Sequence, residues 1–219
     1  MLEKTTNLIP KEIAGIRIPD SQLAVAATQL VQEFSPPYLF NHVVRTYIFA
    51  ELLAKNSNTR YDSELLYLGS MFHDLGLTEK FNGNERFEVD GADAASNFLS
   101  QHNFPPEKIT LVWDAIALHT SIGIVSRKQI EIAYVSLGAG VDVAGFGLDQ
   151  ISQEDLKVIL KTFPRLGLKK AITNTFATIY QKKPLKALFS LAADIVRKEF
   201  HGVHLPDIYE LIEAAPFEE

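Results

Sequence analysis

The adjacent pair His73-Asp74 closes an apolar stretch and is followed by Leu75-Gly76. A neutral imidazole beside a carboxylate offers two metal donors of different charge from one element, a mix suited to zinc or another divalent first-row metal. The doublet alone is a weak signal, because surface caps produce many copies of it. Its weight comes from His42, upstream in an apolar segment, and from Asp142, downstream in Gly138-Ala139-Gly140-Val141-Asp142-Val143-Ala144. Imidazole and carboxylate groups in apolar helical segments are costly to bury unless something compensates them. Three such places in one chain point to one shared metal, with His42, His73, Asp74 and Asp142 as ligands. The imidazoles would coordinate as neutral groups and the carboxylates would offset the dication. A water on such an ion has a lowered pKa and acts as a hydroxide nucleophile near neutral pH. Taken singly, His42 also reads as a hydrogen-bonded core histidine and Asp142 as a turn residue in a glycine-rich stretch.

The elements that must position these residues read as helices. Leu23, Ala27, Leu30 and Val31 recur at three-to-four spacing between Pro19 and Phe34, with Asp20 or Ser21 as the cap. Ser35-Pro36-Pro37 breaks the pattern, and Tyr38 to Lys55 resumes it with His42 inside. After the polar cluster Asn56-Ser57-Asn58-Thr59, Asp62 and Ser63 are N-cap candidates for the helix that carries the doublet. Phe81-Asn82-Gly83-Asn84 is a loop, and further helices are expected near 90–102, 105–119, 127–144, 152–162, 167–182 and 184–200. Gln129 to Val135 alternates briefly like a strand, but its place fits the helix leading to Asp142. The expected fold is all-α, with residues 1–219 as one domain. Its core covers about 20–182, and the first 18 residues and last dozen are accessory.

Bulk composition is compatible with this. A chain of 219 residues that is 47% hydrophobic is long enough to bury a sizeable core. Its formal charge of -6 and the lack of a basic stripe argue against nucleic acid as a partner. Lys169-Lys170 and Gln181-Lys182-Lys183 read as solvated helix ends. With no cysteine, disulfides, Cys-ligated zinc and thiol nucleophiles are excluded, and a reducing cytoplasm is the expected compartment. No apolar run is long enough for a bilayer, so a membrane is not an expected partner. A small-molecule substrate is, and self-association stays open.

The order His … His-Asp … Asp resembles the HD superfamily of metal-dependent enzymes, in which four such residues converge from separate helices of an all-α bundle. Phe40-Asn41-His42-Val43-Val44-Arg45 is similar to that family's first helix, and Leu65 to Asp74 to its second. Two-metal members add histidines between the doublet and the final Asp; Phe87, in Arg86-Phe87-Glu88-Val89-Asp90-Gly91-Ala92, stands where one would be. His119 and His102 remain, too few for a second cluster. The resemblance therefore implies one divalent ion, zinc foremost, with Fe2+, Mn2+ or Ni2+ as alternatives.

Many HD proteins are phosphohydrolases, and several types carry a lysine directly after His-Asp-x-Gly. Leu77 occupies that place here. The run His73-Asp74-Leu75-Gly76-Leu77-Thr78-Glu79-Lys80 instead resembles the cyanamide hydratase branch, as do Phe87-Glu88-Val89-Asp90-Gly91, Asp114 to His119 and Phe163-Pro164-Arg165-Leu166. This resemblance implies hydration of cyanamide or a small nitrile-like compound. It casts His119 as the substrate-binding or proton-relay residue, or else a packed histidine. Glu88 and Lys80 become an ion pair behind the ligands, or an exposed helix-start pair, and Thr120 a hydrogen-bonding residue or a helix-end cap. Phe72, Phe87 and Trp113 would wall a small dry pocket or serve as plain core. The alternative is an HD phosphohydrolase acting on a nucleotide or small phosphate ester, with Arg45, Lys80, Arg86 and Arg127 as the available cations. A third reading is a non-catalytic ligand-binding HD module.

Overall fold

The computed structural model describes residues 9–216 apart from 56, 58, 201 and 203. The first eight residues and two positions of the expected polar turn, Asn56 and Asn58, lie outside them. Among the described residues the architecture is all-α, with ten α-helices and one two-stranded hairpin.

The hairpin comes first. Strands β1 (Glu12–Ile13) and β2 (Ile16–Arg17) pair antiparallel, with Ile13 opposite Ile16. Ala14 and Gly15 between them both have positive φ, as a two-residue primed turn requires. Strands of two residues are too short for alternation to reveal. They are nevertheless anchored: Ile9, Ile13, Ile16 and Ile18 are buried in the main core, and the Tyr47 hydroxyl donates to the Arg17 carbonyl.

Helix α1 (Gln22–Phe34) starts where Ser21 Oγ accepts from the Ala24 amide, so Ser21 rather than Asp20 is the cap. Helix α2 (Pro37–Lys55) is buried on nearly all sides from Leu39 to Ala54, which explains its apolar composition and makes it the central rod. Helix α3 (Ser63–Phe72) is capped by Asp62, whose carboxylate accepts from the Glu64 and Leu65 amides. It ends one residue before the doublet. His73 keeps helical dihedrals as the C-cap, and Leu75–Leu77 forms a single 3-10 turn, closed by a bond from Thr78 Oγ1 to the Leu75 carbonyl.

Helices α4 (Phe87–Gln101), α5 (Pro106–Ala117) and α6 (Ile130–Ala144) complete the inner bundle, with α6 packed along α2. That approach depends on Gly138: a Cβ there would lie 2.2 Å from the Thr46 carbonyl oxygen on α2. The glycine-rich stretch around Asp142 is therefore helix interior rather than turn. Gly76 plays the same part for the doublet, since a Cβ there would sit 2.0 Å from the Phe87 carbonyl oxygen at the start of α4.

Helices α7 (Gln153–Thr162) and α8 (Leu168–Gln181) follow close to the expected bounds. The helix expected over 184–200 is broken instead into a 3-10 turn at Pro184–Ala187 and α9 (Ala192–Glu199), with Phe189 at φ 57° between them. A short α10 (Ile208–Glu213), closed by an Asp207–Glu210 capping box, comes last. Phe176, Tyr180, Ala192, Val196 and Leu205 form a smaller core against Leu39, Leu77 and Phe87, so this C-terminal layer packs on α2, on the 3-10 turn that follows the doublet and on the start of α4.

Candidate metal centre

His42, His73 and Asp74 come together with ligand atoms all within 4.8 Å of one another, and all three are buried. Central helix α2 supplies His42, and the end of α3 supplies the doublet. His42 Nε2 and His73 Nε2 lie 3.2 Å apart, and Asp74 Oδ2 lies 3.3 and 3.4 Å from them. His119, just past the end of α5, brings a third ring: its Nε2 is 3.7 Å from Asp74 Oδ1 and its centroid 4.9 Å from that of His73.

The far side of each ring fixes its tautomer. His42 Nδ1 donates to Asp142 Oδ2 at 2.7 Å, His73 Nδ1 to the Ser70 carbonyl at 2.7 Å, and His119 Nδ1 to the Ile116 carbonyl at 2.6 Å. A carbonyl or a carboxylate can only accept, so Nδ1 carries the proton in each ring and Nε2 presents a lone pair inward. Three lone pairs and a carboxylate converge in a buried place. That donor set fits a divalent cation and is repulsive without positive charge.

The electrostatics show the same demand for positive charge, which a proton on His42 Nε2 meets when no cation does. Burial disfavours a proton on His42, but its hydrogen bonds with Asp142 and Asp74 outweigh this and raise its pKa to about 9. Burial also opposes the charge on Asp74, yet the neighbouring His73 and His42 hold its carboxyl well below the usual carboxylate range. His119 goes the other way, lowered to about 4 by burial and then by His73, so its imidazole is neutral.

Asp142, expected as a fourth ligand, stands outside this group of three. Its carboxylate stands behind His42, not beside Nε2. Oδ1 accepts from Arg45 Nε at 2.8 Å and Arg165 Nη1 at 2.9 Å; Oδ2 accepts from His42 Nδ1 and Arg45 Nη2, the latter at 2.6 Å. All its lone-pair directions are used. Arg45, fully buried, also donates to the Phe163 and Pro164 carbonyls, and Arg165 donates to the Asp142 carbonyl. The Phe163-Pro164-Arg165 segment is thus pinned to α2 and α6 by a polar knot whose centre is Asp142. Burial works against this carboxylate's charge, but the bonds from His42 and Arg45 push its pKa down strongly.

Glu88 is buried at the start of α4. Its Oε1 accepts from Thr120 Oγ1 at 2.6 Å and Arg86 Nη2 at 2.8 Å. The expected pairing of Glu88 with Lys80 is therefore replaced by Arg86; Lys80 is exposed and lies outside both the cluster and the adjoining cavity. His102 is also apart, its ring tilted against that of Phe98 and its Nδ1 bonded to the Phe98 carbonyl. The Phe87 ring meets that of His119 edge-on, with centroids 5.6 Å apart.

A cavity of about 650 Å3 opens from the cluster. His42, His73, Asp74 and His119 form its polar end, with Thr120 beside them, and helices α6 and α8 supply apolar walls including Leu137, Val143, Ile172 and Phe176. Of the aromatic residues expected to wall a pocket, Phe87 does so. Phe72 is packed in the core against Phe98, and the Trp113 indole donates to Asp93. Phe146, Phe176 and Leu191 were not legible as lining, because their sequence neighbourhoods read as loop or ordinary helix.

The chain matches the HD domain family over residues 39–161, and it belongs to that family, whose members are typically metal-dependent hydrolases. The match covers α2 through α7, hence His42, the doublet, His119 and Asp142. No match to a curated protein is found. Among the described residues no helix is long and apolar enough to cross a membrane.

Proposed function

We propose that the protein is a metal-dependent hydratase of a small uncharged molecule, of the cyanamide hydratase type, holding one divalent ion, zinc by its imidazole–carboxylate donors, between His42, His73 and Asp74. The observation that carries this reading is that, among the described residues, no lysine or arginine lines the cavity. Arg45 and Arg86 are tied to Asp142 and Glu88, and Lys80 and Arg127 are exposed elsewhere. Apart from the ion and the imidazoles, a phosphate ester would meet a carboxylate and hydrocarbon walls, with no donor fork for its oxygens. A neutral nitrile carries no such charge.

A divalent ion bound there supplies a water activated toward attack on an electrophilic carbon. The chain's own groups then divide the work. Neutral His119 Nε2, held bare by its Nδ1 bond to Ile116, takes a proton from the attacking water. The water oxygen bonds to the nitrile carbon as one C–N π bond breaks, and His119 returns the proton to the nitrogen. The second water proton moves from oxygen to nitrogen as the imidic acid becomes the amide; from cyanamide the product is urea. Glu88 holds the Thr120 hydrogen, leaving the Thr120 oxygen free to accept from a substrate N–H. Protein loaded with zinc and offered cyanamide, small nitriles and nucleotides is expected to form urea or amide and to leave the nucleotides intact. Metal-dependent phosphate release without urea or amide formation would reverse the choice.

A further inference from the structure

The cavity is far larger than the chemistry at its floor requires. Cyanamide has three heavy atoms, whereas a cavity of about 650 Å3 lies in the range that holds drug-sized ligands. Its polar groups are gathered at one end, around His42, His73, Asp74 and His119, with Thr120 next to them. Beyond them the walls are hydrocarbon apart from Ser126 and Ser136, whose hydroxyls donate to the Gly123 and His119 carbonyls, and water filling that space would find few partners. The mouth is apolar too. Ile122, Leu137, Val143, Phe146 and Leu191 all line the cavity while 72%, 43%, 46%, 62% and 52% exposed. Exposed large apolar side chains concentrated around one opening mark a binding site rather than scattered surface.

We infer that the substrate of this site is an amphiphile: a neutral nitrile or related polar head carried on an apolar aliphatic or aromatic tail of about four to eight carbons. The head sits against the histidine–aspartate cluster, and the tail runs between α6 and α8 toward Phe146 and Leu191. This assignment rests on the hydratase reading only for the identity of the head; the tail is read from the walls. The balanced reaction is RCN plus water giving RC(O)NH2. Each methylene that enters such a wall is expected to improve affinity about fourfold until the cavity is filled.

The test separates tail from head. Calorimetry on the zinc-loaded chain would measure binding of straight-chain primary amides, the expected products, from acetamide to octanamide. Turnover would be followed in parallel on cyanamide and on the corresponding nitriles. Affinity and kcat/KM should both rise severalfold per methylene, and Phe146→Ser together with Leu191→Ser, both at exposed positions, should flatten the rise while leaving metal content unchanged. Urea from cyanamide at an efficiency that longer nitriles never exceed, with no gain in amide affinity, would overturn the amphiphile and leave the hydratase standing. A steep gain in amide binding with no nitrile turned over would support the tail site and sink the hydratase.

Discussion

His42 Nδ1 and Asp142 Oδ2 lie 2.7 Å apart across the α2–α6 interface, so the carboxylate grips the metal-binding ring from behind rather than joining it at the ion. Two arginines hold that carboxylate in turn. Asp142→Asn should therefore keep a metal site but weaken it about 10- to 100-fold, as loss of an orienting partner does. Asp142→Ala strands the buried Arg45 and should cost about 3–5 kcal/mol of stability. Chelator competition and urea melts read the two effects; unchanged affinity in both variants would refute the arrangement.

Purified protein should carry one divalent ion per chain, and His73→Ala or Asp74→Ala should lose it. Metal removal should lower Tm, because ligand binding to the folded state alone adds stability. Elemental analysis showing two tightly held ions, or full occupancy in His73→Ala, contradicts this.

His119→Ala is expected to retain the ion and lose activity by about 100-fold or more, the usual scale of one proton-transfer residue. Loss of the metal in this variant would make His119 a ligand, a role its inward-facing Nε2 also permits.

Two glycines on one helix give a steric contrast. Gly138→Ala drives a Cβ into the Thr46 carbonyl and should cost about 1–3 kcal/mol while moving Asp142 off His42. Gly140→Ala meets nothing closer than Phe146 at 3.4 Å and should be neutral or gain up to about 1 kcal/mol in helix propensity. Thermal melts of the pair decide; equal losses would remove the close approach as the cause.

Asp62 caps α3 and meets Lys108 at 2.8 Å. Burial raises its pKa, but the Lys108 bond and the helix amides outweigh this and lower it from its ordinary 3.8. A depressed carboxyl stabilises fully above its unfolded pKa and loses that contribution as pH falls through the folded value. Asp62→Ala should cost about 1 kcal/mol near neutrality through the lost cap, and the difference from wild type should shrink below the unfolded pKa. A gap that stays constant from pH 7 to pH 2.5 would rule out the charged cap as its source.

Much of this was legible in the sequence because burial and function left the same trace. His42 inside an apolar helix, and the doublet at the end of another, stand out from their neighbours, and caps such as Ser21 and Asp62 set the helix starts. The part played by Asp142 was not legible. A carboxylate in an apolar helix looks the same whether a cation or an arginine compensates it. Arg45 held the clue: three residues after His42, it lies on the same face of α2, and a buried arginine there needs a carboxylate of its own. Lys80 misled because closeness along the chain favours it no more than Arg86, which α4 turns toward Glu88. The break at Phe189 depends on an αL residue that nothing in Leu188-Phe189-Ser190 announces.

The polar floor and the far wall of the cavity have different origins along the chain. The imidazoles and Asp74 belong to the stretch that defines the family, whereas Ile172, Phe176 and Leu191 come from α8 and the approach to α9, beyond residue 161. Reaction and selectivity can therefore drift at separate rates: relatives with the same histidine–aspartate floor can differ in diet simply by re-tailoring a few hydrocarbon side chains downstream. A chimera that grafts residues 162–216 from one such relative onto another is the natural way to move a preference without touching the chemistry.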